Sequence, residues 1–328
     1  MRDPRREEQL RRRECVQGHG LRLHPNAGTV RRAADQEPAL NEPSLAEAGL
    51  DGAARVGFGL RVPHYDAILG RGLRADFAEA ISENFLGRGG RAFSVLSRVR
   101  SDMPVALHGV SLSIGGMDPL SESYLAELSE LAKRIGAFSV SDHLSFGTFG
   151  GHYGHDLWPL PYTEEALSHV VERVQQVQDR LGRRLLLENV SSYVQYRASA
   201  LTEWEFLTEV VTRADAGLLL DLNNVFVNAV NHGFSASQYL RALPKERVQQ
   251  IHLAGHSDAG GYLLDDHGSA VSAAVWRMYE ESLELFGALP TIVEWDERLP
   301  ELSVLEAEAD QARALSNRRL SAEVEGKP

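Results

Sequence analysis

Eight short apolar runs recur along this chain after residue 55, and they end in residues that bind metals or move protons. In order they read GFGLRVPHY with His64, AEAISENF with Glu83 and Asn84, VALHGVSLS with His108, and FSVSDHLS with Asp142 and His143. RLLLENV with Glu188, GLLLDLNNV with Asp221, VQQIHLAGH with His252 and His256, and TIVEWDE with Glu294 and Asp296 follow. The first is the loosest, because Pro63 intervenes. The runs are nearly continuous in Val, Ile and Leu, the pattern of strands buried on both faces of a parallel sheet. The expected strands are 56–61, 78–82, 105–108, 138–141, 185–188, 218–221, 248–253 and 291–294.

Helical periods separate them. Leu125, Leu128, Leu131 and Ile135 recur at three- and four-residue spacing before Gly136. Thr163 and Thr202 stand as N-caps before further apolar stripes, and Gly182 closes the helix that Thr163 opens. Shorter helices are expected over 235–243 and 272–286, and a last one over 302–315. Eight strands alternating with helices predict a single α/β domain, a (β/α)8 TIM barrel, whose strand ends open into one mouth. A doubly wound sheet is the competing architecture. Its dinucleotide turn is missing, since Gly57-Phe58-Gly59 lacks the third glycine.

Composition removes several functions. The chain of 328 residues carries a net charge of −12, and its first 50 residues hold nine Arg against eight acidic residues. The remainder is therefore more acidic still, a poor surface for a phosphate backbone, and no nucleic acid is expected as partner. The one cysteine, Cys15, precedes the barrel, which leaves the body without thiolate ligands or a cysteine nucleophile. No apolar run approaches a membrane span, and the arginine-rich start lacks a secretory core, so a cytoplasmic protein with no membrane partner is expected. Residues 1–54 read as a disordered extension or a start assigned too early, 55–317 as the barrel, and 318–328 as a polar C-terminal tail.

His108, Glu188, Asp221, His252 and Glu294 close five different strand runs. Three carboxylates beside imidazoles in a buried mouth are best explained by bound cations, and a set without thiolate suits iron, manganese or zinc. Asp265 and His267 stand two apart, projecting to one side of an extended stretch, and complete a group with His252. Asn223 and Asn224 follow Asp221; one carboxamide can ligate and the other orient. Asp142 and His143 remain open between ligand, orienting group and general base. Gly115 and Gly116 form either a plain loop or one that a substrate backbone approaches. His152, His155 and His169 are read as structural or exposed.

The segments SENF, LHGVSLSIGG, SDHLSF, LLLENVSSY, LLLDLNNVFVNAVNHGF, IHLAGH, DDHG and IVEWD occur in this order. Together they resemble the multinuclear non-haem iron-dependent oxidative enzymes, the domain-of-unknown-function 692 or UPF0276 family. Its relatives include methanobactin-type and thiol-peptide cysteine-modifying iron enzymes. The resemblance spans about Val56 to Leu315. It implies a xylose-isomerase-like barrel holding two or three Fe ions, with O2 as co-substrate. It also implies oxidation of cysteines in a ribosomally made precursor peptide, which a separate partner protein recruits. Matched position by position, it makes His64, His108, Glu188, Asp221, His252, Asp265, His267 and Glu294 metal-binding. It places Asn224 where some relatives carry histidine, and lets His232 compensate or line the substrate entry. Catalytic roles are expected for Asp142, His143 and Asn223, and substrate contacts at Gly115, Gly116 and His232. The alternatives are a divalent-metal sugar isomerase or phosphodiesterase on the same barrel, and a closed metal-binding protein without catalysis.

Overall fold

A computed structural model of the protein describes residues 55–87 and 89–325. The expectation for residues 1–54 lies outside the described residues. Eight strands close a barrel: β1 (Val56–Gly59), β2 (Ala78–Ile81), β3 (Val105–Gly109), β4 (Val140–His143), β7 (Leu186–Glu188), β8 (Gly217–Asp221), β9 (Val248–Leu253) and β12 (Thr291–Val293). Two hairpins sit outside the ring, β5 (Phe146–Phe149) with β6 (His152–Trp158) and β10 (Ser257–Asp258) with β11 (Leu263–Leu264). Around the barrel the order is β1-β12-β9-β8-β7-β4-β3-β2, every pairing parallel. Closure leaves no edge strand, so each apolar run is covered by neighbours in the sheet and by helices outside it.

The strand beginning at Val56 needs glycine at its second position. A Cβ on Gly57 would stand 2.3 Å from the Phe77 carbonyl oxygen, which is backbone and cannot yield.

The outer helices are α1 (Tyr65–Arg71), α2 (Arg91–Asp102), α3 (Glu122–Ile135), α4 (Glu164–Leu181), α5 (Glu203–Arg213), α6 (Leu222–His232), α7 (Ala236–Ala242), α8 (Ala273–Phe286) and α9 (Leu302–Glu325). Ser121, Thr163, Thr202, Ser235 and Ser272 each accept a first-turn N–H, as their sequence positions suggest. At Thr202 the cap is reciprocal, with Glu205 returning to the Thr202 backbone N–H.

Four helices differ from the sequence reading. α1 and α2 are short or polar enough to hide among loops. α6 was hidden by its four asparagines, which are poor helix formers, yet the Asp221 side chain caps it by accepting from the Asn224 N–H at 2.6 Å. The same carboxylate is thus both strand end and helix cap. α9 runs ten residues further than expected, through Glu325, because no glycine or proline interrupts it before Gly326. Part of the stretch read as a polar tail is therefore helical. Among the described residues, no helix is long and apolar enough to cross a membrane.

Candidate metal centre

Strand alternation decides which side chains enter the mouth. On β4, Ser141 and His143 point inward and Asp142 between them points outward. The inward pair meets β3 and β7: His108 Nδ1 lies 2.9 Å from Ser141 Oγ, and His143 Nε2 lies 3.3 Å from Glu188 Oε2. His108 Nε2 approaches the same Glu188 oxygen at 3.2 Å. The tautomers follow from the partners. His143 Nδ1 donates to the Gly109 carbonyl at 3.0 Å, and Ser141 Oγ donates to the Leu107 carbonyl at 3.3 Å, so it accepts from His108 Nδ1. Both Nε2 lone pairs are left facing Glu188 Oε2, which has no hydrogen-bond donor.

The other Glu188 oxygen faces a second group. Oε1 is 3.5 Å from His252 Nδ1, which is 3.0 Å from Glu294 Oε2. The atoms of Glu188, Asp221, His252 and Glu294 all lie within 4.8 Å of one another, as do those of His108, His143 and Glu188. Glu188 therefore belongs to both groups, one oxygen to each. A third group combines His267, Glu294 and Asp296. Asp265 reaches His267 Nε2 at 2.8 Å, and Asp221 Oδ2 lies 3.9 Å from that nitrogen.

The surroundings aim these ligands. Glu79 on β2 takes His252 Nε2 at 3.0 Å and in turn accepts from Gln250 Nε2 at 2.6 Å; all three side chains are buried. With Nε2–H donated to Glu79, His252 turns Nδ1 toward two carboxylates, where a cation would take the place of its proton. Arg61 grips the outer oxygens, Glu294 Oε1 at 3.1 Å and Asp296 Oδ1 at 2.5 Å. Their inner oxygens remain toward His252 and His267. Asn223 donates to Asp265 Oδ1 at 2.7 Å while His256 Nδ1 lies 2.7 Å from its oxygen. His267 itself holds a left-handed φ of 42°, a costly conformation for a non-glycine residue that directs its ring into the mouth.

Buried atoms without hydrogen-bond partners collect here: Glu188 Oε2, Asp221 Oδ2, Asn224 Oδ1, His252 Nδ1 and His267 Nε2. All are oxygens or imidazole nitrogens, and each unsatisfied group costs about 1–3 kcal/mol. Cations held by these groups would satisfy them. The electrostatics agree. Burial lifts Asp221 well above the ordinary carboxylate range and Glu188 to about 7. Burial also opposes charging His252, but Glu79, Glu294 and Glu188 outweigh it and hold its pKa well above the usual value. The donor set thus fits divalent metal ions of the type that nitrogen and oxygen ligands hold. Above it opens a cavity of about 300 Å³ whose walls include Val110, Leu157, Val190 and Ser191.

Other predicted residues lie elsewhere. His64 Nε2 donates to the Pro300 carbonyl at 2.8 Å, and the residue joins none of the three groups. Asp142 accepts from the backbone N–H groups of His143 and Leu112 at 2.8 and 3.2 Å, anchoring the loop after β3. Nearby, Glu83 accepts from Tyr124 Oη and from the Val110 N–H. Asn224 donates to the Asn189 carbonyl and leaves its oxygen toward the cavity it lines. Asn223 orients Asp265 rather than lining the cavity. Gly115 and Gly116 border a separate hollow of about 670 Å³ with Met117 and Phe149; a Cβ on Gly115 would stand 2.3 Å from Leu160 Cδ2. His169 reaches the Gly116 carbonyl at 2.9 Å. His232 lines a third cavity. Glu79 and Arg61 escaped the sequence reading, although a lone glutamate inside the apolar strand AEAI was a visible signal.

Comparison with known proteins gives the same fold and a family. The family model for the RiPP precursor modification enzyme MbnB/TglH/ChrH matches residues 55–317. A UPF0276 protein of Anaeromyxobacter is 57% identical over 270 residues, 82% of this chain and 95% of that one. Another, from Acaryochloris marina, is 48% identical, covering 82% and 96%. Among solved structures, an L-ribulose 3-epimerase superposes with a TM-score of 0.56 at 14% identity, over 84% of this chain and 100% of its own. The D-psicose 3-epimerase of Clostridium cellulolyticum H10 gives 0.53 at 12%, over 81% and 99%. At such identities the epimerases share the xylose-isomerase-like TIM barrel, and the likeness carries no further.

Proposed function

The chain belongs to the MbnB/TglH/ChrH family of RiPP precursor modification enzymes, and from that membership we propose that it oxidises cysteine in a ribosomally made precursor peptide. The oxidant is dioxygen, the metal is iron, and a separate partner protein recruits the peptide. The observation that carries this reading is Glu188, whose two oxygens face two different ligand groups. A carboxylate so placed suits a bridge between neighbouring ions. His108 and His143 would hold one ion, and His252, Asp221 and Glu294 would hold the other. Asp265, His267 and the Asn224 oxygen stand ready for a further position. Iron bound there supplies a Lewis acid for a thiolate and electrons for dioxygen.

The protein supplies geometry. Glu79 keeps the proton on His252 Nε2 and so keeps Nδ1 free. Arg61 holds the outer oxygens of Glu294 and Asp296, which fixes the inner ones. Leu157 and Val190 wall the cavity with apolar surface that excludes water around a cysteine side chain. The test uses anaerobically prepared, iron-loaded protein with the partner and a cysteine peptide encoded beside it. Admission of air should change the mass of the cysteine residue and leave a serine version unchanged. No oxygen-dependent mass change on any such peptide refutes the proposal.

A further inference from the structure

The motif His232-Gly233-Phe234 ends α6 away from the ligand groups, and a second cavity opens beside it. This cavity, about 340 Å³, lies across the β7–α5 loop from the metal mouth: Val190 and Ser191 line the mouth, Ser192 and Val194 line the second cavity. Its walls are aromatic. Trp204 stands 5.4 Å from Phe234 and 5.7 Å from Tyr239, ring centre to ring centre, and Tyr162 and Tyr196 line the cavity too.

Hydroxyls, an amide and an indole line it, and Glu203 adds its one carboxyl group. Glu203, the first residue of α5, is held by two neutral donors, Tyr239 Oη at 2.8 Å and Asn228 Nδ2 at 3.0 Å. Each carboxylate oxygen has a second acceptor position beyond these bonds. His232 Nε2 is held by Ser192, whose Oγ and carbonyl oxygen lie 2.8 and 2.9 Å away, so a neutral ring that donates from Nε2 offers Nδ1 as an acceptor. Burial pushes the Glu203 carboxyl up to about 7. A carboxyl group and an imidazole among aromatic faces, with no lysine or arginine lining the cavity among the described residues, is an incomplete arrangement.

We propose that this cavity binds a cationic side chain, the ammonium of a lysine or the guanidinium of an arginine, at a fixed distance from the reacting cysteine of the peptide. The aromatic faces attract the cation, the carboxylate pairs with it, and the rings cover its aliphatic stem. The same loop that follows the metal ligand Glu188 forms one wall of each site. Asn228 ties that loop to Glu203, since it accepts from the Ser192 N–H at 2.7 Å and donates to the Val190 carbonyl at 2.9 Å. Occupancy of one site is thereby linked to the wall of the other. This inference rests on the peptide reading for its ligand and on the cavity alone for its chemistry.

The test uses fluorescein-labelled twelve-residue peptides carrying one cysteine in a glycine-serine background. Lysine, arginine, norleucine or glutamate is walked through the positions on both sides. Binding to the iron-loaded full chain is read anaerobically by anisotropy. Lysine or arginine at one offset should tighten binding about tenfold over norleucine, and glutamate should weaken it. Glu203→Gln should abolish that gain, so that lysine, arginine and norleucine peptides bind the variant with affinities alike, and Trp204→Leu should reduce it. No favoured offset, or a gain that survives Glu203→Gln, overturns the proposal. A serine-for-cysteine peptide that binds equally well, with the lysine gain intact, refutes the metal-thiolate reading and leaves the cation site standing. If no peptide binds, n-butylguanidinium is titrated alone against both proteins. Binding at least tenfold weaker to Glu203→Gln supports the site, and equal or absent binding overturns it.

Discussion

Glu79→Gln isolates what a buried second carboxylate does for a metal ligand. Glu79 Oε1 lies 3.0 Å from His252 Nε2, and neither side chain has solvent to substitute for the other. A hydrogen bond to a charged acceptor contributes about 1.5–3 kcal/mol. At about 1.4 kcal/mol per decade, its loss weakens metal binding roughly 10- to 100-fold, the range seen when orienting groups behind metal-bound histidines are removed. Glutamine keeps the volume, so the barrel should fold, yet its amide can offer either a donor or an acceptor to His252. The ring is then free to take its other tautomer and withdraw the Nδ1 lone pair. The assay is an anaerobic competition titration of iron against a chelator of known affinity, with circular dichroism to verify folding. Gln250→Leu is the comparison, because it removes the 2.6 Å bond to Glu79 but leaves Glu79 on His252. It should cost clearly less. A folded Glu79→Gln protein with iron affinity within twofold of wild type refutes the argument.

Further outcomes follow from other positions. Glu188→Gln should lower the metal count per chain, measured by elemental analysis, by more than one ion, since Glu188 serves two groups; an unchanged count contradicts the bridging role. His143→Ala should lose metal whereas Asp142→Asn should retain it, because only His143 faces Glu188; equal loss in both would show that the outward placement of Asp142 is wrong. Gly57→Ala should destabilise the fold by roughly 3 kcal/mol or more through the backbone clash at Phe77, read by urea denaturation. Glu203 has a folded pKa raised to about 7 from an ordinary 4.5. Its contribution is therefore complete below the unfolded value and is lost as pH climbs through 7. Wild type should lose up to about 3 kcal/mol of stability relative to Glu203→Gln between pH 4.5 and 8. Parallel pH curves for the two proteins would refute that assignment.

The barrel was legible in the chain because strands buried on both faces must be apolar throughout, and the barrel strands lie where the apolar runs place them. Caps at Thr163 and Thr202 were legible because first-turn N–H groups need acceptors next to them in sequence. His108, Glu188, Asp221 and His252 stood out in the sequence because a polar group at the end of an apolar run is conspicuous, and the structure gathers them into candidate ligand groups. Helix α6 was not, since a cap that doubles as a strand end carries no separate signature.

What sequence by itself determined, then, was the class of fold and most of the polar residues that gather at its mouth, both local consequences of burial and spacing. Which face each ligand takes was decided only in three dimensions. Asp142 and His143 are adjacent and chemically eligible alike, and the pleat alone sends one outward and the other to Glu188. The groups that aim the ligands are further still from sequence logic: Arg61 reaches Glu294 across 233 positions, and Glu79 reaches His252 across 173. Closure of the barrel brings its first and last strands together, so contacts that set the centre's chemistry join residues that no local pattern relates.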